Sequence, residues 1–196
     1  MIASLAQYMA DILLKNEIID NKKLDIYIYG FEVLISSIVS ILIAFLIGLL
    51  FSQLIECTVF LAIFIYLRMY SGGYHADTYF KCNIFFTINL IIVMIIIKKS
   101  IHYSVYVCLA IDTFCVLIIL LWAPIENKYK PIEKYIRKKF KTNSLFLAML
   151  FSALTIIEYK INIHYCIVIN TALLSVAVSM IIEKIKNGGN RNENEI

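Results

Sequence analysis

The stretch FEVLISSIVSILIAFLIGLLF, residues 31–51, decides the fold. It is a long, predominantly apolar run in which Glu32 is the one charged residue. A helix of about 20 apolar residues is long enough to cross the hydrocarbon core of a bilayer. Lipid offers no hydrogen-bond partner to a backbone amide, so a spanning segment of this kind must be helical. Hydrophobic residues make up 61% of the 196-residue chain, against roughly 45–50% in soluble domains. The sequence therefore predicts an integral membrane protein with one membrane domain.

Five further apolar segments follow the first one, and short links come after the first, third and fifth spans. The five segments lie at 54–67, 80–97, 101–122, 144–157 and 163–182. The second, third and fifth are short for a full crossing. The short links predict three antiparallel hairpins, formed by spans one and two, three and four, and five and six. The expected fold is all-α, with six transmembrane helices in a bundle at 31–182.

The first 30 residues predict an amphipathic helix rather than a signal peptide. Apolar residues recur there at helical spacing, and Asp11 and Lys15 interrupt any continuous apolar core. Such a helix either lies on the membrane surface or packs on the bundle. At the other end, residues 183–196 are polar and predict a disordered tail.

Positive charge predicts the orientation in the membrane. Of the 18 basic residues, all except Lys98, Lys99 and Lys160 fall on the side that six spans assign to both termini. Loops rich in lysine and arginine stay in the cytoplasm. Both termini are therefore expected to face the cytosol, as are the polar island at 68–82 and the loop at 123–143.

The loop at 123–143 contains the basic stretch IENKYKPIEKYIRKKFK, residues 125–141. One interpretation is an interfacial helix that is attracted to anionic lipid, with roughly 1 kcal/mol gained for each basic residue near the surface. The other interpretation is a docking site for an acidic peptide. We expect no nucleic-acid partner, no metal and no cofactor.

The polar island RMYSGGYHADTYFKC, residues 68–82, places His75 seven residues before Cys82. That spacing puts both side chains on one face of a regular helix, roughly 10 Å apart along its axis. Direct contact therefore needs an irregularity, which Gly72 and Gly73 can provide. A helix that begins after these glycines also directs free backbone N–H groups into the site.

A histidine beside a cysteine suits acyl transfer by a thiolate. An ordinary thiol has a pKa of about 8.5 and is mostly protonated at neutral pH. An imidazole that accepts the proton leaves an ion pair that favours the thiolate, which then attacks a carbonyl. Negative charge on the carbonyl oxygen needs hydrogen-bond donors. The nearby candidates are Arg68, Ser71 and the amides around Gly72 and Gly73.

The other four cysteines lie in apolar surroundings, at positions 57, 108, 115 and 166. The total of five is odd and no CxxC pair occurs, so the sequence favours neither a disulfide framework nor a zinc site. These four are expected to be small buried side chains. Cys82 differs because polar residues flank it.

The pattern of Arg68, Gly72-Gly73, His75-Ala76 and Cys82 resembles the accessory gene regulator protein B family. So does the later pattern Ala123-Pro124, Asn127 and Pro131 after the fourth span. The resemblance covers essentially the whole chain. It implies a bacterial plasma-membrane cysteine endopeptidase that cleaves the carboxyl-terminal segment from a quorum-sensing propeptide and closes a thiolactone or lactone. It also implies that Cys82 is the nucleophile and His75 the base.

The resemblance also implies a partner, a small propeptide with an amphipathic leader and an acidic tail. The lipid bilayer, with its anionic lipids, is the second expected partner. A homodimer is left open. The sequence does not identify an acid that orients the histidine, and the candidates are Asp77 and Glu32.

Asp112 supports a different class of function. It lies near the middle of span four, where an ionised carboxylate costs at least about 2.5 kcal/mol. It either forms an interhelical hydrogen bond or handles substrate or protons. The alternative function is thus a small transporter or channel component that uses Asp112, although no inverted repeat is visible. A non-catalytic membrane scaffold is a third reading.

Overall fold

The computed structural model describes residues 2–74, 76, 78–99, 104–125 and 134–193, and these residues form helices and short connections without a strand. The helices are α1 Ile2–Lys15, α2 Leu24–Leu50, α3 Leu54–Ser71, α4 Tyr79–Lys99, α5 Val105–Trp122, α6 Lys134–Ile161 and α7 Ile163–Glu193. A short 3₁₀ turn, Asn21–Lys23, precedes α2. The helices α2 to α7 are each long and apolar enough to cross a membrane. This confirms the prediction of an all-α protein with six membrane-spanning helices.

Helix α7 lies at the centre of the bundle and packs against α3, α4, α5 and α6. Leu173, Val176 and Met180 of α7 are fully buried. The outer helices instead expose large apolar side chains, such as Leu46 of α2 and Ile92 of α4. A soluble protein avoids large exposed apolar patches, so these outward faces are the lipid-facing surface of the bundle.

Helix α1 is the amphipathic helix that the sequence predicts, and it packs on α2. Ala6 and Ala10, one helical turn apart, are completely buried. Small side chains let two helix backbones approach closely. Leu5 and Tyr8 remain exposed, so the larger apolar side chains are available to lipid while the alanine face docks on the bundle.

The helix boundaries differ from the predicted ones at the basic segment. The fifth span was expected to begin at residue 144, but α6 begins at Lys134 and is therefore not short. The described part of the basic stretch thus forms the first turns of a membrane helix. Lysine and arginine are good helix formers, and their long side chains can reach water while the helix backbone enters the membrane. At the other end of the chain, α7 continues to Glu193.

One predicted hairpin is wrong. Helix α4 packs against α2 and α7, and α5 packs against α6 and α7, whereas α4 and α5 do not pack extensively on each other within the described residues. Helix α5 begins at Val105, whereas the fourth span was expected to begin at residue 101. A link between two consecutive helices does not by itself force them to be neighbours.

Candidate active site

The glycine pair ends α3 and redirects the chain. Gly72 has a φ of +76° and Gly73 a φ of +148°, values that side chains with a Cβ rarely adopt. The Gly72 amide donates to the Arg68 carbonyl oxygen at 3.0 Å, which closes the last turn of the helix. The sequence prediction of an irregularity before Cys82 is therefore correct, and its cause is a glycine C-cap.

Both glycines are also in close contact with other segments. A Cβ on Gly72 would lie 2.4 Å from the Ile125 carbonyl oxygen, and one on Gly73 would lie 2.5 Å from the Ser179 hydroxyl. Backbone hydrogen bonds fix the same neighbours, because the Ile125 amide donates to Ser71 O at 2.9 Å and the Tyr74 amide donates to Ser179 O at 3.0 Å. The segment from Ser71 to Tyr74 is therefore held between the end of α5 and the face of α7.

Substituting Gly72 with alanine is expected to destabilise the protein. The positive φ alone costs about 1–3 kcal/mol for a residue with a Cβ, and the Ile125 backbone cannot move away as a flexible side chain can. The matched control is Gly30→Ala, because a Cβ on Gly30 meets no atom within 4 Å and alanine favours a helix interior by about 1 kcal/mol. Thermal unfolding in detergent should show a clear fall in Tm for Gly72→Ala and no fall for Gly30→Ala. Equal Tm values would show that this cap is not rigid.

Cys82 lies in the first turns of α4, on the other side of the site. Thr78 precedes the helix, and its hydroxyl accepts a hydrogen bond from the Lys81 amide at 3.3 Å, which is the usual contact of an N-cap residue. The Cys82 amide donates to the Thr78 carbonyl oxygen at 3.1 Å. Cys82 is partly exposed, whereas the other four cysteines are buried. The chain thus places its accessible thiol at a helix N-terminus, where the helix dipole favours negative charge.

Arg68 in the last turn of α3 joins the glycine segment to Cys82. Its guanidinium donates a hydrogen bond to the Tyr74 carbonyl oxygen and interacts electrostatically with the Cys82 side chain. It also lies over the Phe64 ring, 5.4 Å from the centroid. A guanidinium has five N–H donors in a fixed plane, so it can hold the backbone of Tyr74 and still present its positive charge to the thiol.

Helix α7 contributes residues that the sequence did not indicate. Glu183 is only 1% exposed and interacts electrostatically with Arg68. Ser179, which contacts the glycine segment, is one turn earlier on the same face. Lys186 lies over the Tyr74 ring at 5.6 Å from the centroid. Their signal in the sequence was the four-residue spacing of Ser175, Ser179 and Glu183, which marks one buried polar face of α7.

Glu32 of α2 reaches the start of α4. Its carboxylate accepts a hydrogen bond from the Tyr79 hydroxyl at 3.2 Å, and Tyr79 is three residues before Cys82. Asn83 is also tied to α2, because the Ser40 hydroxyl donates to its side-chain oxygen at 3.0 Å. These contacts fix the N-terminal part of α4 against α2 and bring Glu32 to the edge of the site.

Several predicted donors are already occupied. The Ser71 side chain is fully buried, and its hydroxyl donates to the Gly72 carbonyl oxygen at 3.2 Å. The amides of Gly72 and Tyr74 donate to Arg68 O and Ser179 O. Among the predicted donors that the structure describes, Arg68 is the one with an electrostatic interaction with Cys82.

The remaining predicted residues add no contact to the site around Arg68 and Cys82 in the part of the chain that the structure describes. His75 and Asp77 lie outside the described residues, as do Asn127 and Pro131. Asp112 accepts a hydrogen bond from the Asn170 side chain at 3.0 Å, and the same amide group also donates to Cys108 O at 3.2 Å. Nine helical residues separate Asn170 from Ser179, which is roughly 14 Å. Asp112 therefore belongs to a different polar cluster, between α5 and α7.

Comparisons with known proteins agree with the resemblance in the polar island. The family model described as Accessory gene regulator B matches residues 6–181. An AgrB-like protein 2 from Clostridium perfringens (strain 13 / Type A) is 30% identical over 169 residues, which cover 81% of this chain and 79% of the relative. An AgrB-like protein from Clostridium perfringens (strain SM101 / Type A) is 28% identical over 165 residues, which cover 81% and 77%. No solved structure matches.

Proposed function

Because the chain belongs to the accessory gene regulator B family, we propose that it is a membrane cysteine endopeptidase that cleaves a quorum-sensing propeptide through a thioester on Cys82. Membership of the family gives the chain a role in the accessory gene regulator quorum-sensing system and in peptide processing. Its six apolar helices make it a multi-pass membrane protein. The catalytic chemistry and the residues that perform it are our proposal.

The observation that carries the proposal is the partly exposed Cys82 thiol, which interacts electrostatically with the Arg68 guanidinium. Arg68 supplies a positive charge near this sulfur, and Cys82 lies in the first turns of α4, two features that are typical of reactive cysteines. Tyr74, the residue before His75 in the sequence, has its carbonyl group held by the same guanidinium. The site thus combines an accessible thiol with a fixed cation, as a reactive cysteine requires.

We assign the proton transfers to His75. Its imidazole accepts the Cys82 proton, and the thiolate attacks the scissile carbonyl carbon of the propeptide. The carbonyl oxygen becomes negatively charged, and the Arg68 guanidinium donates to it. When the carbon–nitrogen bond breaks, the imidazolium protonates the leaving amine, and the remaining peptide stays on Cys82 as a thioester. Glu32 and Asp77 are the candidates for the acid that orients His75.

Ring closure follows from the thioester. A cysteine or serine side chain within the bound peptide attacks the thioester carbonyl and releases Cys82, which gives a thiolactone or lactone. Water competes for the same carbon, so the site must exclude it. Holding the internal nucleophile against the acyl group supplies an effective molarity of about 10⁵ M or more.

The substrate and the topology complete the proposal. With 15 of 18 basic residues on the side that carries the polar island, both termini and the site face the cytoplasm of a bacterial cell. This positive face attracts a propeptide with an acidic tail, and the membrane surface takes up its amphipathic leader. A homodimer would present two such sites.

The proposal can be tested by trapping the intermediate. The purified chain in lipid vesicles is mixed with a synthetic propeptide whose internal nucleophile is replaced by alanine, so that ring closure is blocked. Intact-protein mass spectrometry should then show the chain plus the cleaved peptide, and neutral hydroxylamine should remove the adduct. Peptide mapping should place it on Cys82. Cleavage without an adduct sensitive to hydroxylamine would exclude a thioester mechanism.

Substituting Asp112 with asparagine separates this proposal from a transporter. Asparagine keeps a side-chain oxygen that can accept the hydrogen bond from Asn170, so the bundle should remain folded. Asp112 is in the separate α5–α7 cluster, so the rate of propeptide cleavage should be unchanged. A transporter that handles protons or ions on Asp112 would lose flux. Loss of cleavage with normal folding would connect Asp112 to the reaction and contradict our assignment.

A further inference from the structure

A groove lies between the end of α5 and the first turns of α6, and the site described above does not use it. Its volume is about 390 Å³. We call it the α5–α6 groove, and its walls are formed by Leu121, Trp122, Ala123, Pro124, Arg137, Lys138 and Lys141. One wall is therefore apolar and belongs to α5, and the other is basic and belongs to α6.

The basic wall selects an anion. Arg137 and Lys141 are four residues apart and share a face of α6, with Lys138 next to them on the groove side. All three side chains are exposed. Lys139 is also exposed but does not line the groove. The positive charge that faces the groove thus comes from Arg137, Lys138 and Lys141 and not from every basic residue of α6.

The apolar wall indicates that the anion carries an acyl chain. Leu121 is 67% exposed, and Phe114 and Leu117 below it on the same face of α5 are 45% and 48% exposed. These side chains form a continuous lipid-facing stripe that ends at the groove. A phospholipid matches both walls, because its acyl chain can lie along the stripe while its phosphate meets the basic residues.

We propose that the α5–α6 groove binds the phosphate headgroup of an anionic phospholipid. Basic pockets between membrane helices on the cytoplasmic side are suited to such headgroups. Trp122 at the mouth of the groove is of the residue type that is enriched at the headgroup level. The proposal goes beyond the peptidase and is independent of it, because it concerns other residues and a different ligand.

The test uses Trp122, which is the single tryptophan of the chain. The full-length protein is reconstituted in vesicles of phosphatidylcholine that contain a small fraction of brominated phosphatidylglycerol or brominated phosphatidylcholine. Bromine quenches tryptophan fluorescence at short range, so the quenching reports which lipid occupies the groove. We expect the anionic lipid to quench several-fold more strongly. Lys138→Gln and Lys141→Gln should each reduce this preference about fivefold, the factor that corresponds to about 1 kcal/mol for each basic residue.

Lys139→Gln is the matched control, because it removes the same charge from the same helix outside the groove. It should keep the preference for phosphatidylglycerol. If Lys139→Gln reduces the preference for phosphatidylglycerol as much as the other two variants do, the attraction comes from the overall surface charge. The groove would then not be a specific binding site. Equal quenching by both lipids in the wild-type protein would also overturn the proposal. In that case, a change of Trp122 emission on adding an acidic peptide would assign the groove to a peptide.

Discussion

Replacing Cys82 with alanine is expected to abolish propeptide cleavage, with a loss of about 10⁴–10⁶-fold in rate, as for other nucleophiles that form covalent intermediates. The proposed mechanism has no second route to the acyl-enzyme, because the other four cysteines are buried. The measurement is the rate of release of the carboxyl-terminal segment from a synthetic propeptide in reconstituted vesicles. The adduct expected in the trapping experiment should disappear together with the cleavage.

Cys115→Ala is the control for the loss of a thiol. Cys115 is completely buried in α5, so this variant tests whether cysteine removal by itself disturbs the bundle. Cleavage should continue at the wild-type rate, with at most a small fall in Tm. If Cys82→Ala cleaved the propeptide as fast as the wild-type protein, the sulfur would not be the nucleophile and the family resemblance would not extend to the chemistry.

The spanning helices could be predicted because lipid leaves the chain few options. An apolar run of sufficient length must be a helix, and all six runs are helices in the structure. The start of α6 could not be predicted in this way, since a basic segment has low hydropathy whether or not it is helical. The neighbours of α4 were also mispredicted. In sequence, an apolar helix face that meets lipid looks like one that packs on another helix. The contacts between helices depend instead on small and polar side chains at particular positions.

The candidate site could be predicted where its residues are close in sequence. Arg68, the glycine pair and Cys82 all lie in one polar island, and in the structure Arg68 interacts electrostatically with Cys82. Glu183 is far away in the sequence, and the sequence predicts it to lie at the start of the polar tail at 183–196. Only the central position of α7 in the bundle buries it beside Arg68. The assignment of His75 as the base stays a prediction.

Replacing Arg68 with glutamine is expected to lower the rate of cleavage by about 10²–10³-fold, the usual effect of removing one donor from an oxyanion. The variant also removes the cation beside Cys82, so iodoacetamide should modify this thiol more slowly at pH 7. Alkylation is informative here because Cys82 is the accessible cysteine among the five. The rate of cleavage and the rate of alkylation should fall together. A local change of packing alone would not lower both rates.

Arg68→Lys and Lys81→Gln separate charge from geometry. A lysine at position 68 keeps the positive charge but has no planar fork, so it cannot reproduce the geometry in which the guanidinium holds the Tyr74 carbonyl. We expect alkylation close to the wild-type rate but cleavage well below it. Lys81→Gln removes a charge from the residue next to Cys82, and both rates should stay within about twofold, because the side chain is exposed and screened by solvent. If Lys81→Gln were as defective as Arg68→Gln, general positive charge would explain the effect, and Arg68 would have no specific role at the thiol.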